Sequence, residues 1–263
     1  MLNKSIELFS DKTLLFIGPG QSKNNINVAS AIKKCDFSAS LNDVVLYYKT
    51  DLYFACENFI FDYVIKNSSL DSCKNTYKLA LGLSRDHKSR IDRKYYEKIK
   101  KKLDRLYFIQ AREKLENTKY TLPYTSPTFT VGNFQVLGSL QYNFPMKLSD
   151  YIRCRTLGNA LQVVFGLGFK TVYLIGFLDS EKYARSDYNH YNEYVKEAKL
   201  RLKVKSLSDM SEEQVSASLR YQCQIITTIA HVYSENSRQI LNLCPREKSQ
   251  ISALKFATIE DIK

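Results

Sequence analysis

Three stretches of the chain combine residue types that could do chemistry. Gly18-Pro19-Gly20-Gln21-Ser22 ends the apolar run Leu14–Ile17. Glycines there let the backbone approach a ligand, and the free N–H groups of a following helix favour a phosphate. The same residues also read as an ordinary strand-to-helix turn. Lys23 stands where the third glycine of G-x-G-x-x-G would be, and no G-K-[ST] follows. Arg155-Thr156-Leu157-Gly158-Asn159 opens a strongly apolar segment with a hydroxyl and a glycine. That hydroxyl serves either as a helix cap or as a ligand contact. His190 lies in SDYNHYNEY and has the side chain of a general base at neutral pH, although a lone histidine in such a stretch reads first as surface. His87, inside a basic run, reads as surface, and His231, on an apolar helix face, as core.

These residues need elements to hold them. Leu14–Ile17, ended by glycine, has the pattern of a buried strand. Ser22 is placed to cap a helix over about 24–34, with Ile26, Ala29 and Ile32 on one face. Phe37–Leu41 and Val44–Tyr48 are strand candidates around Asn42-Asp43, and Asn58–Lys66 reads as helix. Ile91, Tyr95, Ile99, Leu103 and Leu106 recur at helical spacing and predict one long helix over Arg90–Glu116. Thr128–Leu137 alternates like extended chain broken by Gly132. Leu157–Leu167 predicts an apolar helix stopped by Gly168, and Thr171–Ile175 a buried strand. Ser211 and Gln214 make a capping box for a helix to about His231, and Gln239–Leu243 reads as the final strand.

Strands apolar on both faces thus alternate with helices, as a parallel sheet requires. The prediction is an α/β, Rossmann-like architecture: a mostly parallel sheet with flanking helices, one domain over residues 1–263, and a helical excursion. The two glycine-containing helix starts then open on the carboxyl edge of the sheet, where α/β proteins bind ligands.

The 263 residues carry a net charge of +12, which suits an anionic partner: nucleic acid, anionic lipid, or a phosphorylated or acidic sugar. Arg85–Lys119 alone holds 13 basic and 6 acidic residues, more than half of that excess. Its interleaved acids and helical period read first as a solvated amphipathic helix, with an anionic membrane surface as the next choice. No zinc finger, RNP motif or KH loop occurs, so a specific nucleic-acid partner is not expected. The six cysteines form no CxxC pair and share no ligand spacing with the histidines, so reduced thiols and no structural zinc are expected. The N-terminus lacks a signal peptide's apolar core, and no run approaches the roughly 20 apolar residues of a membrane span. The expected location is cytoplasmic, peripheral at the inner membrane.

Taken in order, these pieces resemble the bacterial lipooligosaccharide sialyltransferases of glycosyltransferase family 42 and their relatives. That family opens on a strand and a G-x-G-x-S turn, matched by Gly18-Pro19-Gly20-Gln21-Ser22. A nucleotide-binding asparagine follows its second strand, matched by Asn42. A T-S-G helix start precedes A-x-x-x-x-G-[YF]-K-x-[IV]-Y-L-x-G, matched by Thr156-Leu157-Gly158 and by ALQVVFGLGFKTVYLIG ending at Gly176. The family's S-H-Y triplet corresponds to Asn189-His190-Tyr191, and its L-C-P-x-S strand end to Leu243-Cys244-Pro245 followed by Ser249. The resemblance covers residues 13–60 and 150–250 and leaves the basic segment out.

What the resemblance implies is a GT-A-like variant fold with a small lid over 179–213, and a metal-independent, inverting transfer. The donor would be a CMP-activated acidic sugar, either sialic acid or a related nonulosonic or ulosonic acid, and the acceptor a surface glycan or glycolipid. His190 would take the acceptor proton while Tyr183 and Tyr188 stabilise the departing phosphate. Nucleotide-sugar contacts would come from Gly18–Ser22, Asn42, Thr156–Asn159, Gly176, Asp179 and Ser249. Pro19 replaces an asparagine of the family's turn, so this turn would hold the nucleotide by backbone alone, and Asp179 is displaced by one residue. Two other classes stay open. One is a relative acting on another nucleotide diphosphate, such as a pterin pyrophosphokinase-like enzyme. The other is a non-catalytic basic protein that binds membrane or nucleic acid.

Overall fold

The computed structural model describes residues 9, 11–20, 26–66, 77–82, 93–102, 106–111, 120–125, 129–131, 134–136, 139–144, 156–177, 211–244 and 253–262. Its centre is a ten-stranded sheet. Strands β1 (Thr13–Ile17), β2 (Phe37–Leu41), β3 (Leu52–Ala55), β4 (Tyr77–Gly82) and β5 (Leu106–Ala111) lie side by side in chain order. On the other flank of β1 come β10 (Thr171–Ile175), β11 (Gln239–Asn242) and β12 (Lys255–Phe256). All eight are parallel. Beyond β5 the sheet ends in the antiparallel pair β6 (Tyr120–Thr125) and β9 (Ser139–Phe144). Between these two in sequence, β7 (Phe129–Val131) and β8 (Phe134–Val136) form a separate two-stranded ribbon. The architecture is the expected α/β, Rossmann-like one. Strand order reverses between β1 and β10, which makes that junction the topological switch point.

Helices cover both faces. Leu14 and Phe16 of β1 share a core with α4 (Thr156–Leu167) and α5 (Glu212–Glu235). Leu15 and Ile17 point the other way, to Val28 and Ala31 of α1 (Val28–Lys34). Further along that second face, Tyr53 and Ala55 of β3 pack with α2 (Asn58–Lys66) and α3 (Arg93–Lys100). This alternation explains why the strands read as continuous apolar runs. Two polar ties hold α4: the Tyr233 hydroxyl of α5 donates to the Leu161 carbonyl at 2.6 Å, and Arg238, just before β11, donates to the Phe165 carbonyl at 2.5 Å while lying over the Phe165 ring.

Several sequence expectations change. α1 starts at Val28 rather than near 24, because Asn27 caps it by accepting from the Ser30 N–H at 3.0 Å. Val44–Tyr48 is not a strand: Asn42–Leu46 form a 3-10 turn. β2 already has β1 and β3 on its two edges, so Val44 and Val45 lie on a face of the sheet, one in each of two core clusters. The long helix over Arg90–Glu116 is α3 followed by β5. Among the described residues Tyr96 and Ile99 are buried and Tyr95 packs beside them, and the Leu106–Ile109 run pairs in parallel with β4. The stretch expected as interrupted extended chain is the β7–β8 ribbon. β12 lies beyond the strand expected to be last. His231 is exposed rather than core, 3.2 Å from Glu235. Of the expected lid, 179–210 lies outside the described residues, and Glu212 and Glu213 open α5. Among the described residues no helix is long and apolar enough to cross a membrane.

Candidate functional site

Parallel strands bring every strand-to-helix turn to one edge, so the carboxyl ends of β1, β2, β3, β10 and β11 form a single rim. α4 leads into β10 through Gly168 (φ 96°) and therefore runs against the strands, which puts its first turn on that rim too. A direct contact fixes it there: Cys56, just past β3, has its Sγ 2.8 Å from the Thr156 Oγ1 that opens α4. Gly18, Pro19, Gly20, Asn42, Thr156, Leu157, Gly158, Asn159 and Gly176 thus all belong to one edge, although 158 positions separate the first from the last.

At the switch point the two glycines have a structural task. The Gly18 N–H donates to the Ile175 carbonyl and the Gly20 N–H to the Gly176 carbonyl, each at 2.8 Å, so the β1–β10 ladder runs on past both strands. A Cβ on Gly18 would lie 2.3 Å from the Gly176 carbonyl oxygen and 2.5 Å from the Phe177 ring. Gly176 has φ +74°, and a Cβ there would meet the Gly18 oxygen at 2.7 Å. Pro19 has no N–H. Among the described residues of the turn, 18–20, the N–H groups are thus engaged within the fold, and Gln21 and Ser22, which complete it, lie outside the described residues. Its glycines are needed for the close approach of two chain segments.

Among the described residues, this rim also offers N–H donors at the start of α4. The first turn of a twelve-residue helix has N–H groups without intrahelical partners and the positive end of the helix dipole. Gly158 keeps that turn free of bulk. Thr156 is 9% exposed, Leu157 packs against the core and Asn159 is fully enclosed, so a ligand would meet backbone and the Thr156 hydroxyl.

Asn42 differs from its surroundings. It follows β2 with φ 57°, in the left-handed region that asparagine tolerates better than most residues. It is 8% exposed, and its Oδ1 is buried without a hydrogen-bond partner. A buried carboxamide oxygen left unpaired costs about 1–3 kcal/mol. Strain combined with an unsatisfied group at a sheet's carboxyl edge is the pattern of a ligand contact.

On the far side of the switch point the rim opens into a cavity of about 490 Å³, between Asn27, Leu243, Cys244, Phe256 and Thr258. Sequence reasoning missed this cavity because it depends on β12. It also missed Cys56. Reading Leu52–Ala55 as a strand would have placed that thiol on the rim. The Cys35 thiol is pushed up to about 12 by burial and stays protonated at neutral pH. Gln21, Ser22, Asp179, Tyr183, Tyr188, His190 and Ser249 lie outside the described residues. Among the described residues no three His, Cys, Asp or Glu side chains gather as a metal-ligand set.

Comparison with known proteins yields no matching family model, no matching curated protein and no matching solved structure.

Proposed function

We propose that this chain is a glycosyltransferase that moves an acidic sugar from a CMP-activated donor to a glycan or glycolipid acceptor. The observation that carries the reading is Asn42, the residue that the family resemblance assigns to the nucleotide. It stands strained at the rim of a Rossmann-like sheet with a buried, unpaired carboxamide oxygen. A cytosine amine or ribose hydroxyl would supply the missing donor. The α4 N-terminus on the same rim would take the phosphate.

In this mechanism the acceptor hydroxyl attacks the anomeric carbon and its proton passes to His190. The bond from that carbon to the CMP phosphate oxygen breaks, and the configuration inverts. Tyr183 and Tyr188 donate hydrogen bonds to the departing phosphate, whose charge needs stabilising in the absence of a metal.

A thermal-shift series with CMP, UDP and GDP tests the donor class. Saturating CMP should raise the unfolding midpoint by about 5 °C, and UDP and GDP much less. His190→Ala should keep that shift while losing 10²–10⁴-fold in transfer. Full transfer activity in His190→Ala removes the assigned base. A shift only with a nucleotide diphosphate and Mg²⁺ moves the chain to the pyrophosphokinase-like class, and no shift with any nucleotide overturns the reading.

A further inference from the structure

The basic segment plays no part in the chemistry above, and α3 shows how its charge is presented. Tyr96 and Ile99 are buried against α2 and β3. The Tyr95 hydroxyl lies 2.8 Å from the Asn58 carbonyl and 2.9 Å from Asp62, and burial pushes its pKa well up. Both rings of the helix therefore face inward. The outward side is cationic: Lys94, Lys98, Lys100, Lys101 and Lys102 are exposed, against one exposed acid, Glu97. Glu97 lies 3.9 Å from Lys100, whose ammonium sits near the Tyr96 ring. Lys94 and Lys98 follow at i and i+4 on the helix, and Lys101 continues the stripe in the turn that closes it.

We propose that this lysine stripe is a docking surface for an anionic lipid bilayer. The helix has no apolar face left to insert, so attachment is electrostatic. It has no outward ring on which a nucleic-acid base could stack. Lysine ammoniums are point charges suited to the diffuse potential of anionic headgroups, and clusters of four to eight near a surface are sufficient to bind it. α3 is the crossover between parallel β4 and β5, so a helix lying on a bilayer keeps the strands in the membrane plane. The carboxyl rim then opens sideways along the lipid surface. The proposal is independent of the transferase reading.

The test is co-sedimentation of the full chain with vesicles of phosphatidylcholine containing about 30% phosphatidylglycerol. Wild type should bind these vesicles, ignore pure phosphatidylcholine, and be released by about 0.5 M salt. Lys94→Glu/Lys98→Glu/Lys101→Glu should weaken partition on the order of 100-fold. Lys33→Glu/Lys49→Glu/Lys170→Glu, which changes exposed lysines elsewhere and lowers the net charge equally, should stay within about threefold. Equal losses in the two variants would mean that net charge alone acts, and would overturn the proposal. So would equal binding to pure phosphatidylcholine, or tighter binding to duplex DNA that the first variant abolishes. If the first variant does not fold, Lys94→Gln/Lys98→Gln/Lys101→Gln decides by the same readout.

Discussion

The two ends of the β1–β2 pair handle polar groups in opposite ways. At the amino end, Asp36 is held on several sides. Its Oδ2 accepts from the Thr13 N–H at 2.9 Å and the Thr13 hydroxyl at 3.0 Å, and its Oδ1 lies 3.1 Å from Lys12 Nζ. At the carboxyl end, Asn42 has a buried oxygen without a partner and a left-handed backbone. Satisfied groups in relaxed geometry stabilise a fold. A strained, unsatisfied group costs stability and persists where something outside the fold completes it. The amino end is therefore the structural clamp of this strand pair, and the carboxyl end its candidate site.

Three substitutions test that contrast. The largest effect belongs to Gly18→Ala at the switch point. The added methyl meets backbone at 2.3 Å, which no side-chain movement relieves. A loss of about 3 kcal/mol is expected in urea unfolding. A loss below about 1 kcal/mol would show that the two strand ends can separate.

Asp36→Asn comes next. Burial by itself would raise the Asp36 pKa, but the Thr13 N–H, the Lys12 ammonium and the Thr13 hydroxyl outweigh it and hold the carboxyl below its ordinary 3.8. A folded pKa depressed in this way stabilises above the unfolded value, and that contribution is lost as pH falls through the folded one. Asp36→Asn should therefore cost about 1 kcal/mol at neutral pH, a modest figure because the pair is partly exposed. The gap to wild type should close as pH drops below 3.8. A gap constant from neutral pH down into the acid range would place the loss in packing rather than charge.

Asn42→Gly should disturb stability least. Glycine accepts φ 57° without strain and removes the unpaired oxygen, so the unfolding midpoint should move by less than about 1 kcal/mol in either direction. CMP affinity should nevertheless fall roughly 3–10-fold, the value of one hydrogen bond. A large destabilisation with unchanged CMP affinity would make Asn42 part of the clamp rather than of the site.

Legibility in the sequence followed how local each signal is. Thr171–Ile175 is a strand with the expected bounds, and α4 starts one residue before its expected apolar run, because a continuous apolar stretch ended by glycine carries its own boundary. β3 was not legible, since four residues after a polar turn carry no period of their own. Ile91 to Leu106 carried a helical period, but the helix ends at Lys100 and from Leu106 onward pairing with β4 takes over. Asn42 was nameable from the resemblance, but its unpaired oxygen depends on what β1, β3 and the 3-10 turn place around it.

By itself, the sequence determined the alternation of buried strands and helices, the parallel α/β class and the glycines that end β1 and β10. Side-chain periodicity and backbone freedom belong to each segment alone. What those glycines are for depends on partners distant in the chain. The partner of an N–H lies on another part of the chain, and the donors of Gly18 and Gly20 proved to belong to β10 and Gly176. The same holds for the rim: α4, Cys56 and Asn42 share one edge because eight strands run parallel, an arrangement recorded between segments rather than within them.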